Sequence, residues 1–481
     1  MAKQAFDPFE KTIPELQSAM EAGGLSALEL VEYYLDRIRR YDQGGPRLNS
    51  VLETNPEARQ IAQALDQERA RKGPRGPLHG IPVLLKDNLD TADSLHTSAG
   101  SLAMQASRAP RDAFVVARLR AAGAILLGKA NMTEWANFMT LGMKNGYSSR
   151  GGQVLNPYGS GFDPGGSSTG SGVAVSANLC AVAVGTETSG SILSPANNNS
   201  LVGIKPTVGL VSRSGIIPIS ASQDTAGPMA RSVTDAAILL SCLAGPDPAD
   251  PATRRQPAPA DYPRFLEPDI RGLRVGVPRA VFYEKPSPAE VAVVEGAIQA
   301  LARLGVQLTD PADIPGAAQV FELGYTVLLY EFRRDLNRYF RRLGPSSPIR
   351  SLRELIRYNE AHPETLLRYG QTLLLAAEAA GGTQSEAYRY ARRRDLEVAK
   401  GGLDAAFTKF GLDALAFPAY WGASIGAKAG YPSLTVPAGY TPEGFPVGIT
   451  LLGPAWSEGT LLRLAYGLEQ ATRARRPPPL L

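Results

Sequence analysis

The stretch Asp163-Pro164-Gly165-Gly166-Ser167-Ser168-Thr169-Gly170-Ser171-Gly172 sets serine hydroxyls among glycines, and a second cluster, Thr188-Ser189-Gly190-Ser191-Ile192, follows it closely. Glycine lets a backbone approach a ligand and bares its N–H groups. A serine hydroxyl serves as nucleophile or as proton relay. The apolar run from Val173 to Gly185 joins the two loops, and a flexible Gly/Ser linker would carry no such ordered segment. The two clusters therefore point to a built site with nucleophilic chemistry.

A serine nucleophile needs a base. The chain has 3 histidines, His79, His96 and His362, and none stands in a Cys/His spacing that suits a metal ion. Each is assigned a structural role, and no metal is expected. Lys86, closing the run Gly80-Ile81-Pro82-Val83-Leu84-Leu85-Lys86-Asp87-Asn88, is the candidate base, because burial at the end of an apolar strand disfavours an ammonium. The alternative is a lysine whose amine pairs with Asp87 or Asp90. An ordinary lysine is neutral only about 0.04% of the time at pH 7. A working base needs a pKa near 7 to 8, roughly 4 kcal/mol away, which full burial can supply.

Two motifs mislead. Gly123-Ala124-Ile125-Leu126-Leu127-Gly128-Lys129-Ala130 nearly fits a phosphate loop, but Ala130 has no hydroxyl for magnesium and the interior is an apolar strand. Gly166-Ser167-Ser168-Thr169-Gly170 fits the G-x-S-x-G nucleophile elbow, centred on Ser168. The residues before it, Asn156 to Pro164, cannot form the strand that the elbow needs, and His362 is the only later histidine.

These loops need a scaffold. Helices are expected over Ser26 to Leu35, where Ser26 and Glu29 form a capping box, and over Pro56–Arg71, Asp112–Ala122 and Ser232–Leu243. Strands are expected at 80–88, 124–128, 273–277, 414–418 and 433–437. The alternation predicts an α/β fold around a central sheet. One domain over 1–481 is expected. It comprises an N-terminal helical segment (1–75), a core (76–245), a Pro-rich linker loop (246–270) and a C-terminal part (271–481) with a mainly helical insertion at about 311–410.

With 44% hydrophobic and 20% charged residues and a net charge of +4, the chain has no bias towards nucleic acid or anionic membranes. No apolar run spans a bilayer, and Met1 to Asp7 lacks the apolar centre of a signal peptide. A cytoplasmic location is the expectation. Cys180 and Cys242 cannot build a disulfide framework and are read as small buried hydrophobes.

The Lys86 run, Gly165-Gly166-Ser167-Ser168, Gly185-Thr186-Glu187-Thr188-Ser189-Gly190-Ser191-Ile192, Gly203-Ile204-Lys205-Pro206-Thr207 and Asp224-Thr225-Ala226-Gly227-Pro228-Met229-Ala230-Arg231 together resemble the amidase signature family. The resemblance covers most of the chain, is strongest from Leu78 to Leu243, and implies that family's fold, a mixed twisted sheet with helices on both faces. It implies a triad in which Ser191 is the nucleophile, Ser167, after a cis peptide bond, the bridging serine and Lys86 the base. Thr188, Ser189, Gly190 and Ser191 would supply oxyanion-hole N–H groups, and Gly165, Gly166 and Ser168 would touch substrate; separately, the helical region from about Val320 to Phe410 is expected to line the acyl pocket, with Tyr325, Leu329 and Tyr330 as its candidates. No cofactor is implied. The activity implied is hydrolysis of a small amide or short peptide amide to acid plus ammonia or amine, by a monomer or homodimer. Alternatives within the family are an esterase or aryl-acylamidase, or the glutaminase-type component of a tRNA-dependent amidotransferase. Leu193, where many members carry arginine, and Asn197-Asn198-Asn199 depart from the amidotransferase pattern. Val208 to Ser220 with Ser222 to Thr225 looks more like the peptide amidase branch.

Overall fold

Eleven strands make one continuous sheet. In chain order they are β1 (Val51–Thr54), β2 (Pro82–Lys86), β3 (Ile125–Ala130), β4 (Val182–Glu187), β5 (Val202–Lys205), β6 (Thr225–Ala230), β7 (Arg274–Gly276), β8 (Gln307–Thr309), β9 (Ala414–Pro418), β10 (Ser433–Tyr440) and β11 (Pro446–Leu452). Their order across the sheet is β1-β3-β2-β4-β6-β5-β10-β11-β9-β7-β8. The β3-β2-β4 and β9-β7-β8 pairings are parallel and the others antiparallel, so the sheet is mixed. The computed structural model describes residues 6–257, 261–344 and 347–479. Most of the Met1 to Asp7 reading lies outside them.

Every residue of β2, β3, β4 and β6 is buried, as expected of strands covered on both faces, which read as near-continuous apolar runs. Helices surround the sheet. The Ala27–Arg37 helix starts at the Ser26/Glu29 capping box, and the same device opens Pro288–Arg303 with Ser287 and Glu290. Asp112 lies outside its expected helix, which runs Phe114–Ala121. The apolar run between the two serine loops divides into a helix, Thr169–Ser176, and β4.

The Thr326–Leu343 helix places Leu328, Phe332, Leu336 and Phe340 one turn apart, and they share a buried cluster with Trp135 and Phe138. This packing sets the helix beside the segment that leaves β3. Residues 246–257 of the Pro-rich stretch pack against the body, and 258–260 of it lie outside the described residues. Asp247, Asp250 and Thr253 are buried, and Asp250 takes Arg213 in a bidentate pair. Among the described residues no helix is long and apolar enough to cross a membrane.

Candidate active site

The site forms where the parallel strands β2 and β4 end, the usual place for ligands in sheets of this kind. Lys86 is the last residue of β2 and has no exposed surface. Its Nζ lies 2.8 Å from Ser167 Oγ and 3.1 Å from the Thr186 carbonyl. Among the described residues no carboxylate is ion-paired with it. Asp87 is occupied by the Ser98 hydroxyl, the Gly100 N–H and Arg150. Asp90 accepts from the Tyr339 hydroxyl at 2.7 Å. The salt-bridge alternative is thereby replaced by a lysine facing a hydroxyl. Burial pulls the Lys86 amine down to about 7, against the smaller opposing influence of Glu187 and Asp224.

The Gly166–Ser167 peptide bond is cis. The turn that carries Ser167 is tightly enclosed. A Cβ on Gly165 would meet Pro195 Cα at 2.6 Å, and one on Gly166 would meet Asn145 Oδ1 at 2.6 Å. The Ser168 N–H donates to the Ser191 carbonyl at 3.1 Å, so the two serine loops touch through backbone. Among the described residues no direct hydrogen bond joins the Ser167 and Ser191 hydroxyls.

Ser191 is 7% exposed and follows Gly190, whose φ of +85° suits glycine. Glu187 organises this turn from beneath. Its buried carboxylate accepts from the N–H groups of Ile192 (2.7 Å) and Leu193 (3.0 Å), with the Gly190 amide also drawn to it. Among the described residues the N–H groups of Thr188, Ser189 and Ser191 meet no acceptor. Unengaged donors on one turn are what a developing oxyanion requires, and Gly190, the fourth amide expected, sits on the same turn.

A cavity of about 200 Å³ opens at this turn. Gly166, Ser189, Gly190 and Ser194 line it, with Tyr420 and Trp421 stacked 5.5 Å apart. Phe321 adds a third ring, and Ser189 Oγ lies 3.3 Å from Ser424 Oγ. These C-terminal residues escaped the sequence reading. Their only signal was an aromatic pair just past the end of β9.

Several expected contacts fall elsewhere. Ser168 is wholly buried, and its hydroxyl donates to the Thr186 carbonyl at 3.0 Å and accepts the Thr186 N–H at 3.2 Å, which spends it on β4. Gly165 packs on Pro195 instead of lining the cavity. Tyr325, 49% exposed, meets the edge of Phe138 at 5.9 Å. Tyr330 meets Tyr388 at 5.8 Å, and Leu329 packs into the insertion's own cluster. None of the three lines the cavity. Phe321, four residues earlier on the separate Gln319–Glu322 helix, does.

The asparagine run clamps the loop in place. Asn197 Oδ1 accepts the Gly448 N–H at 2.6 Å, while Asn198 and Asn199 donate to the carbonyls of Asp163 and Pro164 at 3.0 and 2.8 Å. The near-phosphate-loop Lys129 is buried and donates to the Leu89 carbonyl at 2.6 Å and to Thr97. His79 and His96 bond to the Leu65 carbonyl and to Glu53, and His362 is exposed. Cys180 is buried and Cys242 partly so, and burial pushes both thiols up, to about 12 and about 11. Among the described residues no three His, Cys, Asp or Glu side chains are grouped as a metal ion would need.

Comparison with known proteins places this geometry in a family. A family model, Amidase, matches residues 29–425. The structure is similar to that of peptide amidase from Stenotrophomonas maltophilia, with 47% identity, a TM-score of 0.94, and coverage of 98% of this chain and 99% of that one. In sequence, a probable amidase of Arabidopsis thaliana is 41% identical over 484 residues, 98% of this chain and 92% of that protein. A putative amidase of Schizosaccharomyces pombe is 36% identical, over 98% of this chain and 86% of its own length. A glutamyl-tRNA(Gln) amidotransferase chain of Pseudomonas syringae pv. syringae is 35% identical, over 96% of this chain and 98% of its own length. The chain belongs to the amidase signature family, hydrolases that act on C–N amide bonds.

Proposed function

We propose that this protein hydrolyses primary amides, among them short peptide amides, through an acyl-enzyme on Ser191, with Ser167 and Lys86 as the proton relay. The observation that carries this reading is a fully buried Lys86 amine, free of any carboxylate partner among the described residues and 2.8 Å from Ser167 Oγ.

Neutral Lys86 takes the Ser167 proton while Ser167 takes the Ser191 proton, and Ser191 Oγ bonds to the amide carbon. The carbonyl π pair moves onto oxygen, where the Thr188, Ser189 and Ser191 N–H groups receive it. One such donor contributes about 3 to 4 kcal/mol. When the tetrahedral carbon collapses, the C–N bond breaks and the relay returns its proton to the leaving nitrogen. Water then adds to the Ser191 ester and gives a proton to the same relay; the Ser191 Oγ–C bond breaks, the relay hands that proton to Ser191 Oγ, and the acid is released. Every proton removed is returned, so no cofactor enters the cycle.

Similarity to the Stenotrophomonas peptide amidase supports peptide amides as the substrate class. The polar and aromatic residues beside Ser189 suit a leaving group and acyl chain of modest size. The amidotransferase reading draws support from 35% identity and requires partner proteins. Assay of ammonia release by the purified chain alone, over a panel of primary, peptide and aryl amides, tests the choice. Turnover without a partner is the expected result, and none on any amide would favour the amidotransferase reading.

A further inference from the structure

We propose that Glu331, on the Thr326–Leu343 helix and outside the triad, is a positioning residue for the oxyanion loop, acting through residues 219–224 and Thr188. This rests on the amidase reading above and extends it to the helical region.

Residues 219–224 precede β6 and are gripped from two sides. On the outer side, Glu331 is 2% exposed, and its carboxylate accepts from the Ser220 hydroxyl, the Ser222 N–H (3.0 Å) and the Tyr388 hydroxyl. Asp335, one helical turn on, accepts the Ala221 N–H at 3.1 Å. On the inner side, the Asp224 carboxylate accepts the N–H groups of Ile219 and Ser220, each at 2.9 Å, and the Thr188 hydroxyl at 2.6 Å. Gln223 Nε2 donates to the Thr188 carbonyl at 3.1 Å.

That last contact fixes a direction. In a planar trans peptide the C=O and the following N–H point to opposite sides. Holding the Thr188 carbonyl towards Gln223 therefore turns the Ser189 N–H the other way, and Ser189 lines the cavity. A donor aimed at a charge that exists only in the transition state must be set before the reaction, since its value lies in needing no reorganisation. Residues 219–224 have no ladder hydrogen bonds of their own before Thr225. Glu331 and Asp335 thus add acceptors from the insertion to the turn bonds that these residues make among themselves, where the Gln223 and Asp224 N–H groups donate to the Ser220 carbonyl at 3.1 and 2.9 Å. Charged acceptors bind backbone N–H and hydroxyl groups about twice as strongly as neutral ones.

The test is Glu331→Gln in the full chain, with kcat and KM on a primary amide and the inhibition constant of a boronic acid that forms a tetrahedral adduct. A kcat lower by about tenfold is expected, with KM within about twofold and adduct affinity weakened about as much as kcat. Glu378→Gln is the control, since Glu378 pairs with Arg333 and Arg353 in the same insertion and is expected to leave kcat unchanged. Should Glu331→Gln fail to fold, Ser220→Ala removes one donor to Glu331 and must lower kcat in the same direction. Unchanged kcat and adduct affinity, or a rise confined to KM, overturns the proposal. Ser191→Ala runs alongside. If it keeps turnover, the assignment of Ser191 as the nucleophile fails, whereas a dead Ser191→Ala with an unaffected Glu331→Gln sinks only the role of Glu331.

Discussion

Glu187 reaches up from the end of β4 to accept the Ile192 N–H at 2.7 Å, so the turn carrying Ser191 is wound around a buried carboxylate. Burial raises that carboxyl above its usual range while Lys205 and the turn's own N–H groups act to lower it. Glu187→Ala removes the acceptor from at least two buried N–H groups, a loss of about 1 to 3 kcal/mol for each such group. Thermal unfolding is expected to show destabilisation of that order, and kcat is expected to fall at least tenfold. Full activity in Glu187→Ala would mean that the turn holds itself.

Activity is expected to follow the protonation of Lys86. Its amine is held at about 7, and the neutral form is the base, so kcat/KM rises with pH through a limb near 7 and flattens above it. The sign is opposite to that of a mechanism using the ammonium as an acid. Lys86→Ala is expected to lose at least a thousandfold in kcat. Lys86→Arg is expected to be as inactive between pH 6 and 9, since a guanidinium keeps its proton throughout. Activity of Lys86→Arg near that of the parent would leave only an ionic role.

Ser191→Ala is expected to abolish ammonia release while leaving the melting temperature within a few degrees, because the side chain is small and makes no side-chain hydrogen bond among the described residues. A sulfonyl fluoride is expected to label the parent protein at Ser191, as judged by mass spectrometry of the digest. Labelling at Ser168 instead would revive the nucleophile-elbow alternative.

The cavity rings make a specificity prediction. Trp421 stacks on Tyr420 beside Gly190, and an aromatic platform gives about 1 kcal/mol to a packed apolar or aromatic group. Trp421→Ala is expected to raise KM several-fold for amides with an aromatic side chain and to leave acetamide-sized substrates nearly unchanged. Equal effects on both would place the substrate away from these rings.

Much of this was legible in residues close in sequence. The Ser26/Glu29 pair marks a helix start because a capping box is a local hydrogen-bond pattern, and Pro82–Lys86 declares itself a buried strand by unbroken apolarity. The α/β class follows from such elements. Strand β7 was legible within Leu273–Val277, whereas β8 holds only three residues, too few to show a period. At the site, Lys86 and the two serine-bearing loops stood out because lysine after an apolar run and serine among glycines are unusual chemistry, and the family resemblance singled out Ser167 and Ser191 within them. Tyr420 and Trp421 did not stand out, because strand order alone brings the end of β9 to that turn, and Phe321 reaches it from the separate Gln319–Glu322 helix. Ser168 misled for a related reason. A hydroxyl spent on the Thr186 backbone looks in sequence like one free for substrate.

The most direct test is an NMR titration of lysine labelled with carbon-13 at Cε, with the Lys86 signal assigned by its loss in Lys86→Met. A chemical-shift midpoint near pH 7 is the result expected and would show an amine available as base under working conditions. A signal that stays that of an ammonium from pH 6 to 9, while the enzyme turns over amide across that range, would contradict the proposed relay.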